Sequence, residues 1–231
     1  MRSIAEQEVR DAVVARLRKL RPQARICHEV NSAGSGSNRF DVVAVDRAEI
    51  IAVEIKSEKD KLDRATDQIE AMKRVSSHVI LAMHECHLEE RETNSDAAHY
   101  GKLDGKHYLR DLPATLLNHR YGIIHWVYPE RERGRYSLSV GRWEPPQERY
   151  EAALPGDALG MLWRDELAVL CGSLRVAVPK RANMTDMVRA LRWHATGKEL
   201  TLGICSALRR RPFAEADAPM TGSARTLEMA Q

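Results

Sequence analysis

The sequence lacks the features that mark several common classes of protein. Its four cysteines include no CxxC pair, which argues against a disulfide scaffold or a paired-cysteine zinc site, and we read all four as reduced thiols. No apolar run approaches the ~18 residues that a membrane-spanning helix needs, and the N-terminus does not resemble a signal peptide. The glycine and serine loop at 32–38 has no GK[ST] of a phosphate-binding P-loop. These absences favour a cytoplasmic protein without a membrane partner.

The chain does have the composition of a globular protein. Its 231 residues are 43% hydrophobic and 30% charged, which fits one domain with an appendage or two small domains. The net charge of +3 is unevenly spread along the chain. The segment from Arg164 to Arg211 contains ten Lys or Arg and only four acidic residues. A basic C-terminal portion can follow a phosphate backbone; a solvated helical surface rich in arginine is the alternative.

The spacing of apolar residues predicts a helix and strands in the first third of the chain. Ser3 and Glu6 stand at capping-box spacing before a helical pattern over 4–20, which Pro22 ends. The remaining predicted elements are strands at 25–30, 40–45, 50–57 and 78–83, a loop at 31–38 and a helix at 60–74. This order indicates an α/β fold with a mixed sheet.

The rest of the chain predicts a division into segments. We expect residues 1–142 to form the core, with an insertion at about 84–120 made of loops and a short helix, followed by a hairpin of strands at 121–128 and 135–140. The proline-containing segment 143–156 reads as a linker. Three helices within 157–211 form a helical module, and the tail at 212–231 is predicted to be disordered.

Two of these strands bring ionisable side chains together. If the turn of the hairpin is Asp46–Glu49, or Arg47 and Ala48 alone, paired residue numbers sum to 95 along the antiparallel ladder. Asp41 then lies opposite Glu54, with Cβ atoms about 5 Å apart. Lys56, two residues further on, points to the same face.

This patch has the chemistry of a divalent metal site. Two carboxylates at ~5 Å repel by about 3 kcal/mol at an effective dielectric of 20, so a cation is expected between them. Oxygen ligands open to solvent suit Mg²⁺ or Mn²⁺, which keeps waters and takes further oxygens from a phosphate. Such an ion orients a scissile phosphate, and Lys56 can then hold or help to deprotonate the attacking water.

Asp41 is followed after twelve residues by Glu54-Ile55-Lys56 at the end of a second strand. This pattern resembles the D…ExK signature of the PD-(D/E)XK nuclease superfamily. The resemblance covers about residues 4–83, and "SGSNRFDVVAVD" is similar to the same region of Holliday-junction resolvases and small phage nucleases. It implies a restriction-endonuclease-like core: a helix, a three-stranded meander, a helix and further strands.

The resemblance also implies roles for individual residues. Asp41, Glu54 and the main chain of Ile55 would bind the metal, and Lys56 would assist the attacking water. A glutamate on the first helix would join the metal site; Glu8 is the candidate, with Glu6 in reserve. Gln68 would complete the catalytic set, although Met72 stands where the QxxxY pattern of RecB-like members has tyrosine.

Several cationic or polar residues are candidates for contact with nucleic acid. Those near the predicted metal site, and those before a C-terminal helix where the backbone N–H groups suit phosphate, are Arg39, Ser57, Lys59, Arg64, Lys180 and Arg181. Each has a surface role as its alternative. The C-terminal helices can equally pack on the core or form a homodimer interface.

The sequence thus predicts a Mg²⁺- or Mn²⁺-dependent nuclease that hydrolyses phosphodiester bonds, with DNA as its substrate, in a repair, recombination or phage context. One alternative is a nucleic-acid-binding or repair accessory protein that keeps the fold and does not cut. Another is an assembly protein in which the C-terminal helices carry the function.

Overall fold

The fold is built on a five-stranded mixed sheet with helices on both faces. A computed structural model describes residues 3–32, 39–93, 100–101, 105–130, 143–148 and 151–220. The sheet has the order β1-β2-β3-β4-β8. Its strands are β1 (Arg25–Asn31), β2 (Arg39–Val45), β3 (Ile50–Lys56), β4 (His78–His84) and β8 (Ile124–Tyr128). The α/β class predicted from the sequence is confirmed.

The hairpin of β2 and β3 has the predicted register. Val42 pairs with Val53 and Val45 with Ile50, so paired numbers sum to 95. Strands β1 and β2 are antiparallel, whereas β3, β4 and β8 run parallel. The parallel strands are buried on both faces, which explains their continuous apolar sequences.

One helix covers each face of the sheet in the N-terminal half. Helix α1 (Ile4–Leu20) begins at Ser3, whose hydroxyl accepts a hydrogen bond from the Glu6 N–H at 3.1 Å. It packs on the face that includes Val53. Helix α2 (Ala65–Lys73) packs on the other face, with Ile69 in its core. This helix is shorter than the predicted 60–74, because Asp60 accepts hydrogen bonds in a turn that precedes it.

The segment between β4 and β8 differs from the loops that we expected. It contains a three-stranded antiparallel sheet in the order β5-β7-β6. Its strands are β5 (Glu89–Glu92), β6 (Tyr100–Gly101) and β7 (His107–Asp111), with short 3₁₀ turns at Glu85–His87 and Ala114–His119. The sequence did not predict these strands because their composition is polar, and little of β5 is buried. Strand β8 pairs in parallel with β4, and the predicted partner strand at 135–140 lies outside the described residues.

Three C-terminal helices follow, as predicted. They are α3 (Arg164–Ser173), α4 (Met184–His194) and α5 (Gly197–Arg210), preceded by a 3₁₀ turn at Gly156–Met161. Their buried residues, including Leu167, Leu191 and Ile204, share one hydrophobic cluster with α2 and the sheet. The helices therefore pack on the core.

The segments on either side of these helices are also packed. In the predicted linker, Trp143 is buried and stacks on Trp126 with ring centroids 4.9 Å apart. In the predicted disordered tail, residues 212–220 instead adjoin strand β1, where the His28 N–H donates to the Glu215 carbonyl at 2.9 Å and Cys27 forms a bridge with Ala216. Residues 221–231 lie outside the described part. No helix among the described residues is long and apolar enough to cross a membrane.

Candidate active site in an acidic cleft

A cleft of about 630 Å³ opens where β2 begins and β3 ends. The four residues predicted to be catalytic, Asp41, Glu54, Lys56 and Gln68, all line it. Three of them come from the β2–β3 hairpin and Gln68 comes from α2, on the face where that helix packs. The hairpin register and the helix together bring the predicted set to one place.

Lys56 is held between two oxygen acceptors. Its Nζ donates to Glu54 Oε1 at 2.9 Å and to Gln68 Oε1 at 2.8 Å. The side chain is only 9% exposed. A lysine fixed in this way loses most of its rotational freedom, so its ammonium group stays at one position on the wall of the cleft.

Asp41 is anchored through one of its oxygens. Its Oδ2 accepts a hydrogen bond from the Ile55 N–H at 2.8 Å, between the two residues of the ExK sequence. Burial raises the pKa of Asp41, against the effects of this hydrogen bond and of the positive charge of Arg10. The carboxylate is thus tied directly to the strand that carries Glu54 and Lys56.

Glu54 is the least satisfied group in the cleft. It is 2% exposed, and its Oε2 is buried without a hydrogen-bond partner among the described residues. Burial, and next the negative charge of Asp41, raise the pKa of Glu54 to about 7, although Lys56 acts in the opposite direction. A buried carboxylate oxygen without a partner beside a second carboxylate is a donor set that fits a hard divalent cation.

An acidic rim with a buried arginine adjoins these residues. Carboxylate oxygens of Glu6, Glu29 and Asp41 lie within 4.8 Å of one another. Arg10, which is 1% exposed, places its guanidinium among them, at 2.7 Å from Glu6, 3.1 Å from Glu29 and 3.5 Å from Asp41. The same guanidinium donates to the Asp41 carbonyl at 2.5 Å. The rim therefore carries an internal counter-cation.

Sequence reasoning missed both Arg10 and Glu29. Glu29 has a φ of 55°, in the left-handed region that a strand residue rarely adopts. It falls in a gap of the β1–β2 ladder, opposite Asp41. The sequence did contain a signal for Arg10. It follows Glu6 by four residues, so the two side chains share a helix face, and it stands next to the apolar Val9.

Glu8, the predicted glutamate of the metal site, lies elsewhere. It is exposed and lines a second, smaller pocket with Lys59 and His84. Residues two positions apart in a helix are about 200° apart around its axis. Glu6, the reserve candidate, therefore faces the cleft while Glu8 points away. Glu8 is corrected to Glu6 in the set of cleft residues.

The predicted contacts with nucleic acid divide into three groups. Arg39 lines the cleft and pairs with Glu29 at 2.6 Å. Ser57 is buried, and its hydroxyl donates to Asp60 Oδ2 at 2.6 Å, so it is not available to a ligand. The others are exposed and do not line the cleft: Lys59, Arg64, Lys180 and Arg181.

Comparison with known proteins relates the N-terminal part of the chain to a phage family. A family model described as Bacteriophage P4 protein cII matches residues 1–94, which is less than half of the chain. No curated protein and no solved structure matches. The chain is similar to the phage family over this range. The matched range contains every residue that lines the cleft except Glu215.

Proposed function

We propose that the protein is a metal-dependent nuclease with a restriction-endonuclease-like core, acting on phosphodiester bonds in DNA in a phage or mobile-element context. The observation that carries the proposal is the position of Lys56. It is fixed by Glu54 and Gln68 in an open cleft that Asp41 also lines. The similarity to a phage family over residues 1–94 supports the context.

The carboxylates of the cleft support a role for Mg²⁺ or Mn²⁺. Asp41 and Glu54 would hold the ion through oxygen, with the main chain of Ile55 as a third ligand by the superfamily resemblance. When bound, such an ion stabilises negative charge that develops on a phosphate. The charge of the cleft supplies a further reason. Six acids line it, with only Arg39 and Lys56 as cations of the lining and Arg10 beside them, so the excess negative charge repels a polyanion unless a further cation is present.

The protein's own groups would position the reactants. Lys56 can donate a hydrogen bond to an attacking water or to a phosphate oxygen, and Gln68 limits its motion. Arg39, whose side chain is 62% exposed at the cleft, offers a charge to the phosphate backbone. A fixed donor of this kind typically contributes about 10²–10⁴-fold to the rate of a hydrolytic step.

The test is cleavage by purified wild type, Lys56→Ala and Lys61→Ala proteins. The substrates are labelled linear duplex, single strand, junction, flap and RNA, each with Mg²⁺ or Mn²⁺. We expect Lys56→Ala to fold and to lose at least about 10²-fold in cleavage rate, while Lys61→Ala, an exposed lysine outside the cleft, cuts normally. Equal rates for all three proteins would point to a contaminant and defeat the proposal.

A second candidate is a nucleic-acid-binding protein of the same fold that does not cut. Arg10 favours it, because its buried guanidinium already neutralises Glu6, Glu29 and Asp41. Gel-shift binding without cleavage in either Mg²⁺ or Mn²⁺ would support this candidate. Metal-dependent cleavage that requires Lys56 would exclude it.

A further inference from the structure

The C-terminal helices present a large aromatic side chain to solvent. Trp193 on α4 is 84% exposed, whereas Trp126 and Trp143 are buried in the core. An exposed indole does not contribute the folding free energy that its burial would give. Such a ring, fixed on a helix and not covered by the rest of the fold, is suited to contact with another molecule.

The exposed position follows from how α4 packs. Met187 and Leu191 are its buried residues, and they are one helical turn apart. Arg189 and Trp193 each lie two positions further on, about 200° around the axis, and therefore face solvent. The helix turns one apolar edge to the core and a basic, aromatic edge outward.

The cations of this edge form no ion pair within the part of the chain that the structure describes. Lys180 and Arg181 lie four and three residues before Met184, where α4 begins, and no carboxylate of a described residue pairs with them or with Arg189. Other arginines of these helices are engaged: Arg192 contacts Asp157 at 3.1 Å, and Arg211 pairs with Glu166. Arg189 therefore presents its charge to solvent on the same side of α4 as Trp193.

We propose that this α4 face, defined by Lys180, Arg181, Arg189 and Trp193, binds single-stranded nucleic acid. Cations along a surface attract the phosphate backbone, and an exposed indole stacks on an unpaired base without regard to sequence. A paired base inside a duplex cannot offer its face in this way. Self-association through the same face is disfavoured, because a two-fold axis would bring two copies of the same basic patch together.

The inference does not rest on the proposed nuclease activity, and it assigns the binding of single-stranded nucleic acid to a surface outside the cleft. It is tested in EDTA, where a metal-dependent nuclease does not cut, by fluorescence anisotropy of a labelled 20-mer oligothymidylate. The proteins are wild type, Trp193→Ala, Trp193→Phe and Arg189→Ala. The matched controls are Tyr121→Ala, whose aromatic ring is 85% exposed elsewhere, and Arg47→Ala, an exposed arginine at the β2–β3 turn.

We expect Trp193→Ala to raise the Kd by about five- to 150-fold, the range for loss of one stacked base. Trp193→Phe keeps a ring and is expected to retain most of the affinity. Arg189→Ala is expected to weaken binding and to reduce the slope of log K against log salt by about 0.7. Both control variants, Tyr121→Ala and Arg47→Ala, are expected to bind like wild type.

Four results would overturn the inference. They are no binding by wild type, an unchanged Kd for Trp193→Ala, an equal loss for Tyr121→Ala, and competition by unlabelled duplex as effective as by single strand. A dimer in light scattering that Trp193→Ala dissociates would assign the face to self-association instead. Cleavage in Mg²⁺ is measured separately, so failure of the nuclease proposal leaves this result readable.

Discussion

Two buried glutamates of one strand region, Glu49 and Glu54, differ in how they are satisfied. Glu49, at the turn end of the hairpin, accepts from Arg21 Nε at 2.7 Å, and its Oε1 lies 3.1 Å from His78 Nε2. These partners outweigh burial and lower the pKa of Glu49. Among the described residues, Glu54, at the cleft end, accepts one hydrogen bond, from Lys56, and its Oε2 accepts none; its pKa is raised to about 7.

The difference separates a structural site from a candidate functional one. Glu49 ties Arg21 to the sheet, and Arg21 in turn donates to the Pro146 carbonyl at 3.0 Å, so this end of the hairpin holds distant segments together. Among the described residues, Glu54 forms an ion pair only with Lys56, on the same strand, and its Oε2 lies in the cleft without a hydrogen-bond donor. A carboxylate that is buried at a cost and not satisfied by the fold indicates that a ligand satisfies it.

Breaking the Glu49 site is expected to have the largest effect on stability. Glu49→Gln leaves Arg21 as a buried charge without its carboxylate, which typically costs about 3–5 kcal/mol. Urea unfolding at pH 7 measures the change. The control is Glu70→Gln, which removes an exposed pair with Lys73 and is expected to cost less than about 1 kcal/mol. Equal costs for the two variants would show that Glu49 is not the structural anchor.

The pH dependence of Glu54 is expected to have the opposite sign. Its pKa rises from 4.5 to about 7 on folding. Between these values the folded state keeps a proton that the unfolded chain has released, so this group lowers stability as pH rises and its penalty is complete above pH 7. The penalty is about 3 kcal/mol. Glu54→Gln should therefore match wild type near pH 4 and be more stable near pH 8.

Urea unfolding of wild type and Glu54→Gln in EDTA from pH 4 to 8 measures this difference. If Glu54→Gln were the less stable protein at pH 8, Glu54 would be a structural residue like Glu49, and the contrast between the two ends of the strand would disappear.

Added divalent metal should distinguish the two glutamates next. A ligand that binds only the folded state stabilises by about 2.7 kcal/mol at a hundred times its Kd. We expect Mg²⁺ or Mn²⁺ to raise the Tm of wild type and of Glu49→Gln by similar amounts, and to leave Glu54→Gln and Asp41→Asn unchanged. Differential scanning calorimetry checks this without any assay of cleavage. An equal rise in Asp41→Asn would place the ion outside the cleft.

Local pattern was sufficient to predict the hairpin and its register. The polar turn Asp46–Glu49 between two apolar runs fixes where the hairpin reverses, and the sum of 95, seen in the pairing of Val42 with Val53, follows from that turn. Helix α1 was predictable for the same reason, since its period and its Ser3 cap are local. These two elements carry Asp41, Glu54 and Lys56 to the cleft and Glu6 to its rim.

Contacts between distant segments could not be predicted in this way. Glu49 reads as a turn residue, and only the approach of Arg21 and His78 makes it a buried pair. The segment 212–220 is polar enough to read as disordered, yet Asp217 binds both the Ile26 N–H at 2.9 Å and Arg18 at 2.6 Å. In each case a long-range ion pair overrides the local signal.

Substitution of Gln68 is expected to have the smallest effect on stability and to give the most specific test of the cleft end of the strand. Gln68→Leu removes the hydrogen bond from Lys56 Nζ at 2.8 Å, which should change stability by only about 1 kcal/mol. The control is Gln7→Leu, which removes an exposed hydrogen bond to Asp11 at 2.7 Å. Because Gln68 fixes Lys56, cleavage should fall about tenfold or more in Gln68→Leu alone, while urea unfolding finds the two variants similarly stable. Normal cleavage by Gln68→Leu would mean that Glu54 is sufficient to hold the lysine, and the cleft end of the strand would then depend on a single pair.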